Sequence, residues 1–235
     1  MQLGRSPSLA ALNAAAERLG LCTESGKALR FVPPAGSDPY YELHLFDTGQ
    51  VHTRAGNRHD LFNALCWLAY PRTKARINAL HAAEIPREAG RRGRLRDLLT
   101  IFDEGGALVA CADESLNALL RECRWKEMFW VRRDRVRAAM RILVLGHAVL
   151  EQALEPWPGI TCKALFVDPA GDADAQAAAW LGELPAGASP GLLTPLPLFG
   201  YPGWLPQAAQ AAFYDDARYF RPLRETRDSA SPSRR

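Results

Sequence analysis

An α+β fold is what three features of the chain predict. Residues 58–69 and the run after Pro71 carry apolar side chains at helical spacing. Residues 142–145 and 160–167 are short, apolar and β-branched, as strands are. Turn-forming residues at Asp47-Thr48-Gly49 and at Asp103-Glu104-Gly105-Gly106 lie between apolar runs, which is a hairpin pattern. Helices and strands do not alternate regularly. The expectation is therefore short β-hairpins and a small mixed sheet, packed with several helices.

Taken in order, residues 8–19 read as a helix, capped by Ser8 and stopped by Gly20. A Pro- and Gly-bearing loop follows. Residues 40–46 and 51–54 read as the strands of the first hairpin. Arg58–Ala69 is a helix, and Pro71 suits the first position of a second one ending near Glu84. Residues 88–93 form a loop. Residues 97–102 and 107–111 flank the second hairpin turn. Asp113 caps a helix that runs toward Trp130, and residues 132–141 continue a basic helical face. Residues 142–145 read as a strand feeding a helix at 147–154, or as that helix's own start. A strand at 160–167 and an Ala-rich helix at 172–184 follow. Residues 185–206 hold too many Pro and Gly for regular structure, yet they carry Leu, Phe, Tyr and Trp. They read as a strap wrapped over the body. Residues 1–224 read as one globular domain, and 225–235, rich in Ser and Arg, as a disordered tail.

The chain has 235 residues, of which 48% are hydrophobic, enough for a sizeable core. Its longest apolar run, 142–150, falls far short of the roughly 20 residues that span a membrane. No membrane association and a cytoplasmic location are expected. Five scattered cysteines include no CxxC pair, which excludes a zinc ribbon or thioredoxin motif. The formal charge of +3 is uneven: residues 72–141 hold 16 Lys or Arg against 10 Asp or Glu, an excess of 6. There, Arg121, Arg124, Lys126, Arg132, Arg133, Arg135, Arg137 and Arg141 are interleaved with Trp125, Phe129 and Trp130. Cations beside aromatics can form a nucleic-acid surface. The plainer alternative is a solvated helix face with its aromatics buried.

On a helix, Leu61, Phe62, Leu65, Leu68 and Ala69 share one face, and Leu65 is central to it. His59, Asn63, Cys66 and Tyr70 form a second stripe beside it, with Asp60 and Trp67 adjacent. Asn57 and Asp60 resemble a capping box. On the second helix Lys74, Asn78 and His81 lie close together. Polar groups ranged along the borders of two apolar faces suggest a cleft between helices. His147 follows an apolar strand-like run, so it is expected to open into the same concavity as His59 and Asn63. His147 and Glu151, spaced i and i+4, could share a metal ion, with Asp103 as a further donor.

The stretches YELHLFDTGQ, GNRHDLFNALCWLAYPRTKARINALH, RLRDLLTIFDEGGALV, RWKEMFW, VLGHAVLEQAL, PLPLFGYPGW and FYDDARYFRP resemble a proteobacterial family of uncharacterised proteins, domain of unknown function 3025. The resemblance runs from about residue 9 to 222. It marks Asn57, His59, Asp60, Asn63, Lys74, Asp103, Glu104, His147 and Glu151 as positions to test, and it implies no activity.

Two local patterns have known chemistry. His59-Asp60 is similar to HD-type phosphohydrolases, but those need a further histidine on an upstream helix and a later aspartate, and the upstream candidates His44 and His52 fall in expected strands. A hairpin bearing His44 or His52, followed by a helix with His59 and Asn63, is similar to His-Me finger nucleases. No glycine loop for nucleotides, no GxSxG and no HExxH is present. The expected function is a hydrolase with His59, Asp60, Asn63 and His147 as catalytic candidates. Lys74, Asn78 and His81 would hold a small anionic, phosphate-containing substrate, and Glu151 and Asp103 could hold a divalent metal ion. The alternative is a noncatalytic module that binds nucleic acid or protein through its arginine-rich middle.

Overall fold

The computed structural model describes residues 7–36, 40–88 and 91–223. Helix α1 (Leu9–Arg18) is capped by Ser8, whose hydroxyl accepts from the Ala11 amide. Strand β1 (Arg30–Val32), helix α2 (Tyr41–Thr48) and strand β2 (Gln50–His52) form a small crossover unit in which the two strands pair in parallel. The first expected hairpin is thus overturned. Residues 40–46 alternate like a strand, but Gly49 closes a helix: at φ 74° its amide bonds to the Leu45 carbonyl. A Cβ on Gly49 would also stand 2.3 Å from the Ala28 carbonyl oxygen.

Helices α3 (Arg58–Ala69) and α4 (Pro71–Glu84) fall where their periodicity put them. The second expected hairpin is also overturned. Helix α5 (Arg94–Gly105) runs directly into strand β3 (Gly106–Cys111). Leu95, Leu98, Leu99 and Phe102 follow the i, i+3, i+4, i+7 helical period, and that period outweighs the Gly-Gly turn signal. Helix α6 (Glu114–Arg121) is capped by Asp113 and stops well before Trp130. A π-helical turn, Glu127–Val131, leads to α7 (Arg133–Ala139) and then to strand β4 (Met140–Val144). Helix α8 (His147–Gln152), strand β5 (Thr161–Val167) and helix α9 (Ala173–Gly182) follow. The strap contributes the edge strand β6 (Thr194–Pro197), with short 3-10 turns at Pro190–Leu192 and Leu198–Gly200. An edge strand tolerates its two prolines because their missing N–H groups deprive no neighbour. The tail expected at 225–235 lies outside the described residues.

The main sheet has the order β4-β3-β5-β6. Only the β3–β5 pairing is parallel; β3–β4 and β5–β6 are antiparallel. Strand β3 is buried along its whole length because both of its faces are covered. On one face Ala107 and Val109 pack with α6, the π-helical turn and the aromatic end of the strap, including Phe199, Tyr214 and Phe220. On the other, Leu108 and Ala110 pack with Ile77 of α4, Leu98, Leu99 and Phe102 of α5, and Leu181 of α9. A third cluster joins α1, β1, β2 and α3 through Leu12, Phe31, Val51 and Trp67. No described helix is long and apolar enough to cross a membrane.

The inward face of α3 differs from the expected one. Asp60, Ala64, Cys66 and Trp67 are buried, whereas Leu65 is 38% exposed. Of the polar stripe only Cys66 is buried; His59 and Asn63 are partly exposed where α8 and α4 lie against the helix and supply partners for their side chains.

Candidate functional site

Helix α3 brings the first histidine into place. Asn57 accepts from the Asp60 amide at 2.9 Å and starts the helix. Asp60 does not complete the expected capping box. Its carboxylate accepts from the Arg54 amide (2.8 Å) and from the Arg54 guanidinium (2.8 and 2.9 Å). These Arg54 bonds hold the Asp60 carboxyl below its usual range. At the other end of α3, the Cys66 thiol donates to the Leu145 carbonyl at 3.0 Å, which ties the helix to the end of β4.

The second histidine comes from the start of α8. Gly146 allows it: a Cβ there would stand 2.5 Å from the Glu104 carbonyl oxygen and 2.7 Å from Gly105 backbone atoms. This contact brings α8 close enough for His147 Nδ1 to donate to the Asp103 carbonyl at 2.8 Å. Gly146→Ala is expected to cost about 1–3 kcal/mol through overpacking against rigid backbone. Gly105→Ala should stay within about 0.5 kcal/mol, since nothing lies within 4 Å of a Cβ there. Urea denaturation of the pair checks this; equal losses would show that α8 can yield.

His59 and His147, distant in sequence, meet with their Nε2 atoms 3.1 Å apart. Their ring centroids are 4.5 Å apart and the ring planes are inclined at 74°. The Nδ1 of His59 faces Glu151 Oε2 at 3.1 Å. Each ring is thus held at its outer edge by an acceptor, and both inner nitrogens face one point. The His59 side chain is 40% exposed and that of His147 only 6%. Burial pushes the His147 imidazole down to about 4, against the pull of Asp103.

Below the pair, Lys74 donates to Asn63 Oδ1 at 2.8 Å and pairs with the Asp103 carboxylate. Burial alone would raise the Asp103 carboxyl, but Lys74 and His147 hold it below its usual range. The cleft itself has a volume of about 510 Å³. The two histidines, Asp60, Asn63, His81, Asp103 and Glu104 line it together with Tyr41, Glu42, His52 and Arg54.

Several expected roles change in place. Lys74 and Asn78 are not among the residues that line the cleft. Lys74 is 4% exposed beneath it, and Asn78 is 1% exposed, donating to the backbone and side chain of Glu42 at 2.9 and 2.7 Å. Burial raises the Glu42 carboxyl above its ordinary value, with Asn78 opposing. Both side chains therefore lie beneath the cleft wall and not in it. Glu151 meets Nδ1 of His59 and the Asp103 carbonyl meets Nδ1 of His147, so neither faces the nitrogens between the rings. Among the described residues no group of three or more His, Cys, Asp or Glu forms a metal cage. The His-Me finger arrangement lacks its hairpin, because α2 occupies that stretch. His44 does fall on a helix, but its ring bonds Gln50 and packs on His52.

His81 accepts from Arg96 Nε at 3.2 Å. Burial, with the Arg96 guanidinium beside it, pushes its imidazole down to about 4. An unfolded histidine takes up its proton near 6.5, so between pH 6.5 and 4 the unfolded chain charges while the folded site stays neutral. The stability present above pH 6.5 is therefore lost as pH falls through that window, by about 3 kcal/mol. His81→Asn should reduce the acid-side loss by about that amount. Urea midpoints at pH 7 and 4.5 would refute this if the two proteins lost equal stability.

Of the three aromatics in the arginine-rich middle only Trp130 is partly exposed, with the Arg133 guanidinium over its ring. Trp125 and Phe129 are in the core at 3% and 0% exposure. Arg121, Arg124, Lys126 and Arg135 pair with Glu114, Glu127, Asp215 and Asp113.

Sequence reasoning missed Tyr41, Glu42 and Arg54 as cleft residues, and offered His52 only as a hairpin histidine. The α2 crossover delivers them, and the local pattern there read as strand. A family model described as "Protein of unknown function (DUF3025)" matches residues 29–224, well over half of the chain. No curated protein and no solved structure matches.

Proposed function

This chain belongs to the DUF3025 family of proteins of unknown function, and we propose that it is a hydrolase that activates water at His59 and His147. One observation carries the reading. Two histidines from α3 and α8 present their Nε2 atoms 3.1 Å apart in a polar cleft, each anchored through Nδ1. Such anchoring fixes the tautomer and orientation of a ring whose other nitrogen takes part in chemistry. Asn63, held by Lys74, and Arg54, held by Asp60, present polar groups to a substrate from the same wall. Glu42, Asp60, Asp103 and Glu104 also line the cleft, against a single guanidinium. A phosphate-containing substrate would therefore enter with a cation at its side. A cytoplasmic setting belongs to the same reading, since the five cysteines are free and four are buried.

Hydrolysis of chromogenic phosphoesters, carboxylic esters and amides tests the proposal. At least one class should be turned over, and His59→Ala should lower that rate about 100-fold or more. Turnover of none of them, or full activity in the folded variant, would exclude it.

A further inference from the structure

We infer that the cavity between the β5–β6 edge of the main sheet and residues 218–223 binds a small organic anion, an apolar body carrying one carboxylate or phosphate group. The cavity has a volume of about 540 Å³, which is within the range of small-molecule sites. It shares no lining residue with the histidine cleft. On one side lies the sheet edge, where Thr161 and Lys163 of β5 pair with Pro197 and Pro195 of β6. Trp125 and Tyr219 supply aromatic walls, and the polar end of each is already satisfied within the protein. The Trp125 indole N–H donates to the Arg221 carbonyl at 2.7 Å, and the Tyr219 hydroxyl donates to the Ile160 carbonyl at 2.9 Å. What these residues leave for a ligand is ring surface. On the α6 side the wall is Cys123, whose left-handed turn (φ 56°) is fixed by its own amide on the Leu120 carbonyl and by the Arg124 amide on the Leu119 carbonyl. A wall held in this way is preformed, so little binding energy is lost in ordering it.

The charge around this cavity has one sign. Lys163, Arg218 and Arg221 line it, and no Asp or Glu does. Arg218 is largely spent, because its guanidinium pairs with Asp216 at 2.9 and 3.0 Å. The other two are not. Arg221 Nε donates to the Arg218 carbonyl at 3.1 Å, which steadies the side chain, and its terminal nitrogens have no partner among the described residues. The Lys163 ammonium has none either. By contrast Arg121, Arg124 and Lys126, elsewhere on the surface, each meet a carboxylate. An anion set between Lys163 and Arg221 would gain charge-assisted hydrogen bonds from both, while its apolar part lies against the aromatic and proline walls. The proline edge decides between a small molecule and a peptide. A peptide adds to an exposed strand through backbone hydrogen bonds. Pro195 and Pro197 have no N–H to give, so this edge cannot support such an addition.

Calorimetric titration of the full chain with decanoate, decylphosphonate and decyltrimethylammonium tests the inference, and it is independent of any hydrolase activity. Wild type should take up one equivalent of at least one anion, and the cationic probe should bind at least about 10-fold more weakly. The tighter of the two anions identifies the head group as carboxylate or phosphate. Lys163→Glu and Arg221→Glu should each weaken that anion about 10-fold or more. Thr161→Trp, at an exposed strand position, should fill the cavity and abolish saturable binding. Circular dichroism checks folding, and Arg221→Glu, at an exposed position, decides the matter if Lys163→Glu fails to fold. No saturable uptake of either anion, equal affinity for the cationic probe, or an affinity that the folded charge reversals leave unchanged overturns the inference.

Discussion

Lys74→Met is expected to cost about 3–5 kcal/mol in urea denaturation, a large share of the stability of a typical domain. Lys74 is almost fully buried; its ammonium meets Asn63, the Asp103 carboxylate and the face of Trp67, 5.6 Å from the ring centroid. Methionine keeps the bulk and removes the charge. What remains is the Asp103 carboxylate, only one-fifth exposed at the cleft wall and without its cation. That unpaired charge, more than the lost attraction, sets the cost. Lys74→Met/Asp103→Asn should therefore recover part of the loss, because it removes the stranded charge. Additive single-mutant losses, or a Lys74→Met cost below about 1 kcal/mol, would show that water reaches the pair.

Trp67→Ala should cost about 3–5 kcal/mol, and Leu65→Ala less than about 1. Trp67 is 2% exposed and packs with Leu12, Phe31 and Val51, while Leu65 is 38% exposed. Helical periodicity alone assigns the reverse order, with Leu65 at the centre of the buried face. Denaturation of the two variants decides between them: a larger loss for Leu65→Ala would restore the sequence-based face.

The reversal comes from where the partners of α3 lie. A helical wheel ranks side chains by polarity, so His59, Asn63 and Cys66 fall on the border of the apolar arc. In the fold each of them is matched by a group from far along the chain: Glu151 and His147, Lys74, and the Leu145 carbonyl. A polar group that gains such a partner loses most of the penalty of burial. Polar side chains of the stripe can then pack against α4 and α8 while Leu65 remains at the surface.

The sequence by itself determined the α+β class, helices α3 and α4 with the proline at the start of α4, and the caps at Ser8, Asn57 and Asp113. These depend on interactions within a few residues, and local pattern records them. Only the tertiary structure decided that residues 41–48 and 94–105 are helices, that β3 pairs with both β4 and β5, and how closely His59 and His147 meet in the concavity that the sequence expected them to share. Strand pairing joins residues tens of positions apart, so a local turn signal cannot determine it. The same holds for the histidine pair: its geometry depends on the close approach of Gly146 to the end of α5, a contact that no spacing in the sequence records.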